Sequence, residues 1–390
     1  MAKTTYSKKL KNGKEYYFFR LRHKNLSKPK DIYAPTVKEL DKKIKAIIYN
    51  LDNDISENKE CFSAFFKTWL FNVHCLNKKP STIERYEGIY RNYIKDEKAF
   101  TNLKVKDLNA NAIQEYYSLL IKRGKSVSII THLHKLIAPC IRYAYNNNLI
   151  LKDFSKALVI PKESEKSKLT KEKRVNPFTL GEQKQFIAAI KGNDLEVLLL
   201  TALNTGMRKG ELLALTWKDI DFTNKVIKVN KSVKRVAIFD DELNKKYKKI
   251  LQTPKTENSN RIVPIPNVLI DYLKTHEIRY KESKLKAGNL FVDNKLVFSN
   301  NFGEYLNGDY VLAKYKDILK NNGLKDKSFH DLRHTYATRL FELGEAPKTV
   351  QSLLGHSNVS ITLDTYTHVL DSMKETAVSK LNDLYINIGL

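Results

Sequence analysis

The chain has 390 residues, which is enough for two or three domains that each bury a hydrophobic core. Its 69 lysines and arginines outnumber its 43 aspartates and glutamates, and the formal net charge of +26 predicts a polyanionic partner, of which nucleic acid is the first candidate. There is no apolar run long enough to span a bilayer, no lipidation motif and no secretory signal, and three separated cysteines predict reduced thiols in a cytoplasmic protein.

Residues 1–55 are predicted to form a small module of one sheet and one helix. In the stretch 14–24, aromatic and basic side chains alternate, which is typical of a strand with one basic face. The stretch that follows opens with Thr36 and Glu39 at capping-box spacing and then repeats apolar residues at helical intervals. The module contains 14 basic and 6 acidic residues, so a solvated basic extension is the alternative, but two amphipathic elements favour a folded domain.

Residues 56–160 are predicted to form a unit of four helices. Their apolar positions recur at helical spacing, and Ser81 with Glu84 has the spacing of a second capping box. The aromatic side chains on these helices are interpreted as core residues rather than as platforms that stack on bases. The stretch 161–177 has almost no apolar content and lies between two prolines, so it is predicted to be a linker before a larger domain at 178–390.

Two segments early in the third domain carry candidate functional cations. In NTGMRKGELLALTW, Arg208 follows a glycine turn and precedes a predicted helix whose Glu211 can hold an arginine, which suggests positioning rather than solubility. In LQTPKTENSNRIVPI, Lys255 lies at the polar turn of a predicted hairpin, within a strand-rich stretch at about 225–265. Lysines are dense in this region, and only the turn distinguishes Lys255 from a solvated charge.

A third segment, FHDLRHTYATRLFELG at 329–344, places His330, Arg333 and His334 on one face of a predicted helix. A histidine pair one turn apart is also a metal-ligand spacing, but the arginine between them would repel a divalent cation, and only Asp331 is near enough to add a carboxylate. Arginine and imidazole donors suit phosphate instead. For this segment alone, two solvated or core-capping histidines remain the alternative.

The fourth segment, LLGHSNVSITLDTYTHV, combines a helix end with two candidate site residues. Gly355 is predicted to end a helix, His356 follows it directly, and Tyr366 lies ten residues further on, in a second helical pattern. Tyr366 is one of 21 tyrosines, so its placement after this motif, and not composition, distinguishes it. No group of Asp and Glu residues has the spacing of a metal-dependent nuclease or transposase.

Taken together and in their order along the chain, these segments resemble the motifs of the tyrosine recombinase family, specifically the integrases of phages and integrative elements. The matching stretches are TGMRKGEL, PKTENSNR, HDLRHT, LLGHS and TLDTYTHV. The resemblance covers the whole chain and implies a multidomain, mainly α fold with small β-sheets. It implies a small α+β arm-type DNA-binding domain at 1–55, a helical core-binding domain at 56–160, and a mixed, mostly α catalytic domain with a C-terminal tail at 178–390. The Asn-Pro usual at the end of the core-binding domain is absent here.

The resemblance also implies an enzyme that cuts and rejoins DNA through a covalent 3′-phosphotyrosine, without ATP, metal or cofactor. Tyr366 would be the nucleophile, and Lys255 would be the acid that protonates the departing 5′ oxygen. His330 would accept the tyrosine proton or share the phosphate. The remaining three residues would bind the non-bridging phosphate oxygens as their charge grows: Arg208, Arg333 and His356.

The implied partner is double-stranded DNA with core-type and arm-type attachment sites, bound by a tetramer in the cytoplasm of a bacterial host, with an excisionase and a host DNA-bending protein as accessory factors. The leading interpretation is a recombinase that integrates and excises a phage or another mobile element. Two alternatives are a housekeeping resolvase of chromosome dimers and a non-catalytic DNA-binding regulator with the same fold. His334 and His368 are expected to make structural hydrogen bonds, and the tail 374–390 is expected to dock on a neighbouring protomer or on its own domain.

Overall fold

The computed structural model describes residues 6–26, 28–52, 60–162, 176–240, 244–252 and 260–360, and also 362, 363, 365, 366, 378, 385, 386 and 388. The chain divides into two compact units, residues 1–170 and 171–390. This division falls inside the stretch 161–177, which is predicted to be a linker. Lys255, His368, residues 163–175 and most of the tail 374–390 lie outside the described residues.

The N-terminal part of the first unit is a three-stranded antiparallel sheet packed against one helix, as predicted. The strands are β1 Ser7–Lys11, β2 Lys14–Leu21 and β3 Lys30–Ala34, in the order β1-β2-β3, and the helix is α1 Val37–Asp52. Asn12 and Gly13 have φ angles of 51° and 76°, the left-handed conformations that a tight two-residue hairpin turn requires. Buried apolar residues join the sheet to the helix: Leu21, Ile32, Ala34, Leu40 and Ile44.

The described residues 60–162 of the first unit are mainly helical, as the apolar spacing predicts. Their helices are α2 Phe62–Trp69, α3 Pro80–Tyr93, the single turn α4 Lys98–Thr101, α5 Ala110–Lys122 and α6 Val127–Asn146. Phe62 and Phe100 are fully buried and their rings meet, so the aromatic side chains form core, as predicted. The capping box predicted at Ser81 and Glu84 is wrong, because α3 begins at Pro80 and Ser81 lies inside the helix instead of preceding it; proline is well suited to the first helical position.

The second unit is mostly helical. Its helices are α7 Leu180–Ile190, α8 Glu196–Thr205, α9 Lys209–Leu212, α10 Asn267–Ala287, α11 Gly308–Asn321, α12 His330–Glu342 and α13 Pro347–Leu354. Helix α8, with the sequence EVLLLTALNT, is buried along nearly its whole length and contacts α7, α9, α10 and α12, because it is apolar on all sides. Helix α8 is therefore central to this unit. In the part of the chain that the structure describes, no helix is long and apolar enough to cross a membrane.

The strands of the second unit form two antiparallel sheets within the described ranges. Strands β4 Ile220–Asp221, β5 Val226–Val229 and β8 Arg261–Pro264 are ordered β4-β5-β8, and β6 Ser232–Phe239 pairs with β7 Lys245–Gln252. The hairpin predicted around Lys255 is wrong, because the flanking strands β7 and β8 pair with β6 and β5 instead of with each other. Val263 of β8 belongs to the main core, whereas the lysine-rich β7 is exposed and cannot enter it.

Candidate active site

The predicted site residues converge on the C-terminal end of helix α13. Gly355 ends this helix with the left-handed φ of 68°, and its lack of a side chain makes that turn easy. Arg333 Nη2 donates to the Leu354 carbonyl at 2.7 Å, and Arg208 Nη2 donates to the Gly355 carbonyl at 3.4 Å. Two arginines that are far apart in sequence are thereby gathered beside His356, the next residue of the chain.

Arg333 lies on α12 and is almost fully buried, with 2% of its surface exposed. Besides the Leu354 carbonyl, it binds the Gly206 carbonyl through Nη1 at 2.8 Å. Burial, together with the charges of Arg208 and Arg261, lowers the pKa of Arg333 to about 9, so the guanidinium is still cationic at neutral pH. A buried cation bound to neutral carbonyls is well placed to attract an anion.

The glycine in the motif before Arg208 is required by the backbone. Gly206 ends α8 with a φ of 61°, and a Cβ atom there would lie 2.5 Å from a ring carbon of Tyr336. This close approach leaves the Gly206 carbonyl within reach of Arg333. The same turn brings Arg208 directly before α9.

Arg208 is held by Glu211, as predicted. The carboxylate accepts hydrogen bonds from Arg208 Nη1 at 2.8 Å and from the Arg208 backbone N–H at 2.9 Å. Arg261, which the sequence patterns did not indicate, binds the same carboxylate through Nη1 at 3.2 Å and Nη2 at 2.8 Å. Burial opposes ionisation of Glu211, but the bonds and charges of Arg261 and Arg208 outweigh burial and lower its pKa to about 2.

Arg261 is the first residue of β8, and its side chain is 4% exposed. Its Nε donates to the Leu353 carbonyl at 2.8 Å, so it too reaches the C-terminal end of α13. The sequence does contain a feature that could have indicated Arg261. It is the single charged residue at the start of the otherwise apolar strand RIVP, in the same motif as Lys255. The motif predicts a role for its lysine alone, and the arginine is recognised only from its contacts.

The candidate histidines are neutral at pH 7 in this arrangement. His330 and His334 share one face of α12, as their spacing predicts, and their ring centroids are 4.7 Å apart. Burial, and after it neighbouring cationic groups, lowers the pKa of His330. The same causes lower the pKa of His334 to about 4. Burial, Arg333 and Arg208 lower the pKa of His356 to about 3. Neutral imidazoles can accept hydrogen bonds and protons.

Tyr366 lies in the same cluster, with only 1% of its surface exposed. Its ring packs on Phe341, and its hydroxyl is 2.8 Å from Nδ1 of His334. Burial raises the pKa of Tyr366 well above its ordinary value, so the hydroxyl keeps its proton and can donate a hydrogen bond to the neutral imidazole. His334 therefore makes the hydrogen bond expected of it, and its partner is the predicted nucleophile. His356 makes a comparable contact, through Nδ1 at 2.9 Å from the Thr362 hydroxyl.

The structure thus brings five predicted site residues into one cluster from distant parts of the chain. Lys255 lies outside the described residues, so its place in the site stays a prediction. Among the described residues, no group of three or more histidine, cysteine, aspartate or glutamate side chains could hold a metal ion. Fixed guanidinium groups, neutral imidazoles and a phenol are together able to bind phosphate oxygens and to present a hydroxyl to phosphorus.

Comparisons with known proteins identify relatives along almost the whole chain. Residues 178–373 match the phage integrase family, and residues 61–121 match the phage integrase N-terminal SAM-like domain. A protein of Caldanaerobacter subterraneus subsp. tengcongensis named tyrosine recombinase XerC-like is 40% identical, over 98% of this chain and 99% of its own length. The ICEBs1 integrase of Bacillus subtilis is 26% identical, over 79% of each chain.

Among solved structures, the Tn1549 transposon integrase in complex with transposon right end DNA shares the fold. Its TM-score is 0.61 at 21% sequence identity, over 81% of this chain and 99% of that chain. The family match spans half of the present chain, and the XerC-like relative spans nearly all of it. The chain therefore belongs to the phage integrase family of tyrosine recombinases, enzymes that break and rejoin DNA strands.

Proposed function

We propose that this protein is a site-specific integrase that cuts and rejoins DNA through a covalent 3′-phosphotyrosine, and so integrates and excises a phage or another mobile element. The observation that carries the proposal is the hydrogen bond between Tyr366 and His334, the neighbour of Arg333 on α12. A phenol hydroxyl and a buried cation of one chain thereby share one site. A phosphate bound to the arginine would lie close to the attacking oxygen.

In the proposed reaction, Arg208 and Arg333 bind the non-bridging oxygens of the scissile phosphate and neutralise the charge that grows on them. His356 donates a further hydrogen bond to these oxygens. The burial of Arg333 strengthens the attraction, because water competes less there. We expect loss of either arginine to raise the barrier by about 2.7–4 kcal/mol, the range for loss of one oxyanion donor.

The covalent step exchanges one phosphodiester for another. The Tyr366 hydroxyl leaves its hydrogen bond with His334, its oxygen attacks phosphorus, and its proton passes to His330. The bond from phosphorus to the 5′ oxygen breaks, and Lys255 protonates that oxygen. The lowered pKa of His330 supports a neutral imidazole that can take the proton. Because the aryl ester retains the energy of the broken bond, a DNA hydroxyl can reverse the step without ATP.

The proposed partner is double-stranded DNA, with arm-type sites bound by a domain at 1–55 and core-type sites bound by domains at 56–160 and 178–390. The net charge of +26 supports this, since phosphate contacts supply much of the affinity for DNA. Exchange between two duplexes breaks four strands, so one nucleophile per protomer implies a tetramer. We place this assembly in the bacterial cytoplasm, with an excisionase and a DNA-bending protein as accessory factors.

Trapping the intermediate on a nicked duplex tests the proposal, because the short cleaved end diffuses away and prevents rejoining. We expect the full-length chain to form a protease-sensitive adduct in the presence of a chelator, and peptide mapping to place the nucleotide on Tyr366. Tyr366→Phe should bind the duplex without forming an adduct. Tyr310→Phe, a change at an exposed tyrosine of α11, should behave as the wild type. An adduct that persists in Tyr366→Phe would contradict the proposal.

Resolution of chromosome dimers is a second candidate, favoured by the name of the relative that is 40% identical. A resolvase would join two copies of one site and would need a single mode of DNA binding. The basic N-terminal sheet favours the integrase, because it offers a second DNA-binding surface. A non-catalytic regulator is the third candidate, and it would be indifferent to Tyr366→Phe.

A further inference from the structure

Three arginines bind three successive backbone carbonyls at the C-terminal end of α13. A helix C-terminus carries partial negative charge, which attracts cations. Two of the arginines are the proposed phosphate-binding residues, and the third has no part in the proposed reaction. The pairs are Leu353 with Arg261 at 2.8 Å, Leu354 with Arg333 at 2.7 Å, and Gly355 with Arg208 at 3.4 Å.

We propose that Arg261 is a positioning residue of the recombination site, which fixes Arg208 and His356 relative to each other by joining Glu211 to the end of α13. The inference rests on the proposed function and adds a residue beyond the six named above. Arg261 acts in two directions, since Nη1 and Nη2 bind the Glu211 carboxylate while Nε binds the Leu353 carbonyl. Strand β8 is thereby joined to α9 and to α13.

On one side, Arg261 holds the Glu211 carboxylate in place, and Glu211 in turn restricts the position of Arg208. The carboxylate accepts hydrogen bonds from both the side chain and the backbone of Arg208, so its position determines where that guanidinium can lie. The Arg208 side chain is 39% exposed and is not held by packing alone, whereas that of Arg261 is 4% exposed. A functional group has to be held to within about 0.5 Å by such supporting contacts.

On the other side, the Leu353 carbonyl fixes the turn from which His356 projects. Leu353 lies three residues before His356, and the left-handed Gly355 lies between them. Gln351 supports the same turn, because its side-chain amide donates to the His356 carbonyl at 2.9 Å. Displacement of the Leu353 carbonyl would therefore move the imidazole.

Arginine is the only side chain that can make all three contacts. Its planar guanidinium binds a carboxylate with two donors and still has Nε available for the carbonyl, whereas lysine has a single nitrogen. Arg261→Lys would keep the positive charge beside Glu211 and lose the geometry. This variant therefore separates positioning from charge.

The first test compares Arg261→Lys with the wild type in adduct formation on the nicked duplex, as a function of DNA concentration. We expect the rate constant at saturating DNA to fall on the order of 100-fold, the effect of a misplaced catalytic group, with the half-saturating concentration little changed. The matched control is Arg279→Lys, an arginine of α10 that lines a groove with Asp271 and Tyr272. The control should react as the wild type does.

The second test reports the position of His356 without requiring catalysis. The chain has nine histidines, so the 13C-labelled ring signals of the full-length protein can be resolved and His356 assigned with His356→Gln. In Arg261→Lys we expect its signal to shift and its pKa to rise from about 3 towards the ordinary 6.5, because the loosened turn exposes the ring. Arg279→Lys should leave the signal in place.

The two tests separate failure of this inference from failure of the proposed function. If the wild type forms no adduct but Arg261→Lys still moves the His356 signal, the proposed function fails and the structural role of Arg261 stands. If the wild type reacts, the inference requires both a slower reaction and a moved signal, and either one without the other overturns it. Should Arg261→Lys not fold, Glu211→Gln with Arg261→Gln removes both buried charges and must give the same two results.

Discussion

At the scale of single residues, Glu211 combines burial with ionisation. Its surface is 7% exposed, and two arginines keep it charged. Because its pKa is lowered from 4.5 to about 2, it stabilises the fold above pH 5, and this contribution is lost as the pH falls towards 2. The shift is worth about 3 kcal/mol. Glu211→Gln should lower the free energy of unfolding at neutral pH. It should also make that free energy decline less steeply as the pH falls.

Urea denaturation at a series of pH values measures this effect. The chain has two tryptophans, Trp69 in the first unit and Trp217 in the second, so a Trp69→Phe background lets fluorescence report the second unit alone. Glu304→Gln, a change at an exposed carboxylate, is the control and should leave the acid dependence unaltered. An equally steep decline in Glu211→Gln would show that the arginines do not depend on this carboxylate.

A second prediction at this scale concerns the partner of Tyr366. His334→Leu leaves the buried hydroxyl without its acceptor, which should destabilise the second unit by about 1–3 kcal/mol. His334→Asn should lose less, because its amide oxygen can take the position of Nδ1. The same fluorescence measurement distinguishes the variants. Equal free energies of unfolding for His334→Leu and His334→Asn would mean that the hydrogen bond makes no net contribution to stability.

At the scale of elements, the hairpin of β6 and β7 presents a basic surface. Strand β7 reads KKYKKILQ and its first five residues are exposed. Arg235 of β6 lies over the Tyr247 ring, 4.2 Å from its centroid, and Lys249 donates to the Tyr305 carbonyl at 2.6 Å. These contacts hold the hairpin in place, so its lysines form a fixed row of charges suited to a phosphate backbone.

We predict that this hairpin contacts DNA through Lys246 and Lys248. Each phosphate contact contributes about 0.9 to the slope of log affinity against log salt, so replacing both lysines with alanine should reduce the slope by about 1.8. Lys274→Ala with Lys286→Ala on α10 removes the same charge from exposed positions and is the control. Binding titrations at several salt concentrations measure the slopes. Equal slopes for the two double variants would place the contact elsewhere.

At the scale of the whole molecule, basic side chains are exposed in both units of the chain. In the N-terminal sheet, Lys9 lies over the Phe18 ring at 3.8 Å and Lys11 over the Tyr33 ring at 4.5 Å, so aromatic side chains support an exposed cationic face. An integrase would use this face for arm-type sites and the catalytic unit for cleavage. The two activities should therefore be separable by mutation.

Lys9→Glu with Lys11→Glu tests this separation. We expect adduct formation on a core-site duplex to be unchanged, and recombination between complete attachment sites to be lost. Lys38→Glu with Lys45→Glu makes the same charge change at exposed positions of α1 and should preserve both activities. Gel assays of adduct and recombinant products measure the outcome. Retention of full recombination by Lys9→Glu with Lys11→Glu would favour the resolvase.

Local patterns predicted much of the fold because the causes are local. The spacing of apolar and polar side chains along the chain predicts the N-terminal sheet and helix and the helical unit after them. Spacing also predicts that His330 and His334 share one face of a helix. The start of α3 was predicted wrongly, because Pro80 begins the helix and places Ser81 inside it. Strand pairing around Lys255 was wrong because the core, and not the turn, selects the partner of β8.

The order of residues along the chain establishes which chemical groups are present, because the motifs around Arg208, Arg333, His356 and Tyr366 are short and each depends on adjacent residues. Which of these groups touch depends on how the chain folds. Arg261 and its Leu353 acceptor are 92 residues apart, and no local period relates them. Contacts of this kind arise because β8 packs against α13, which brings buried polar groups together where each must find a partner.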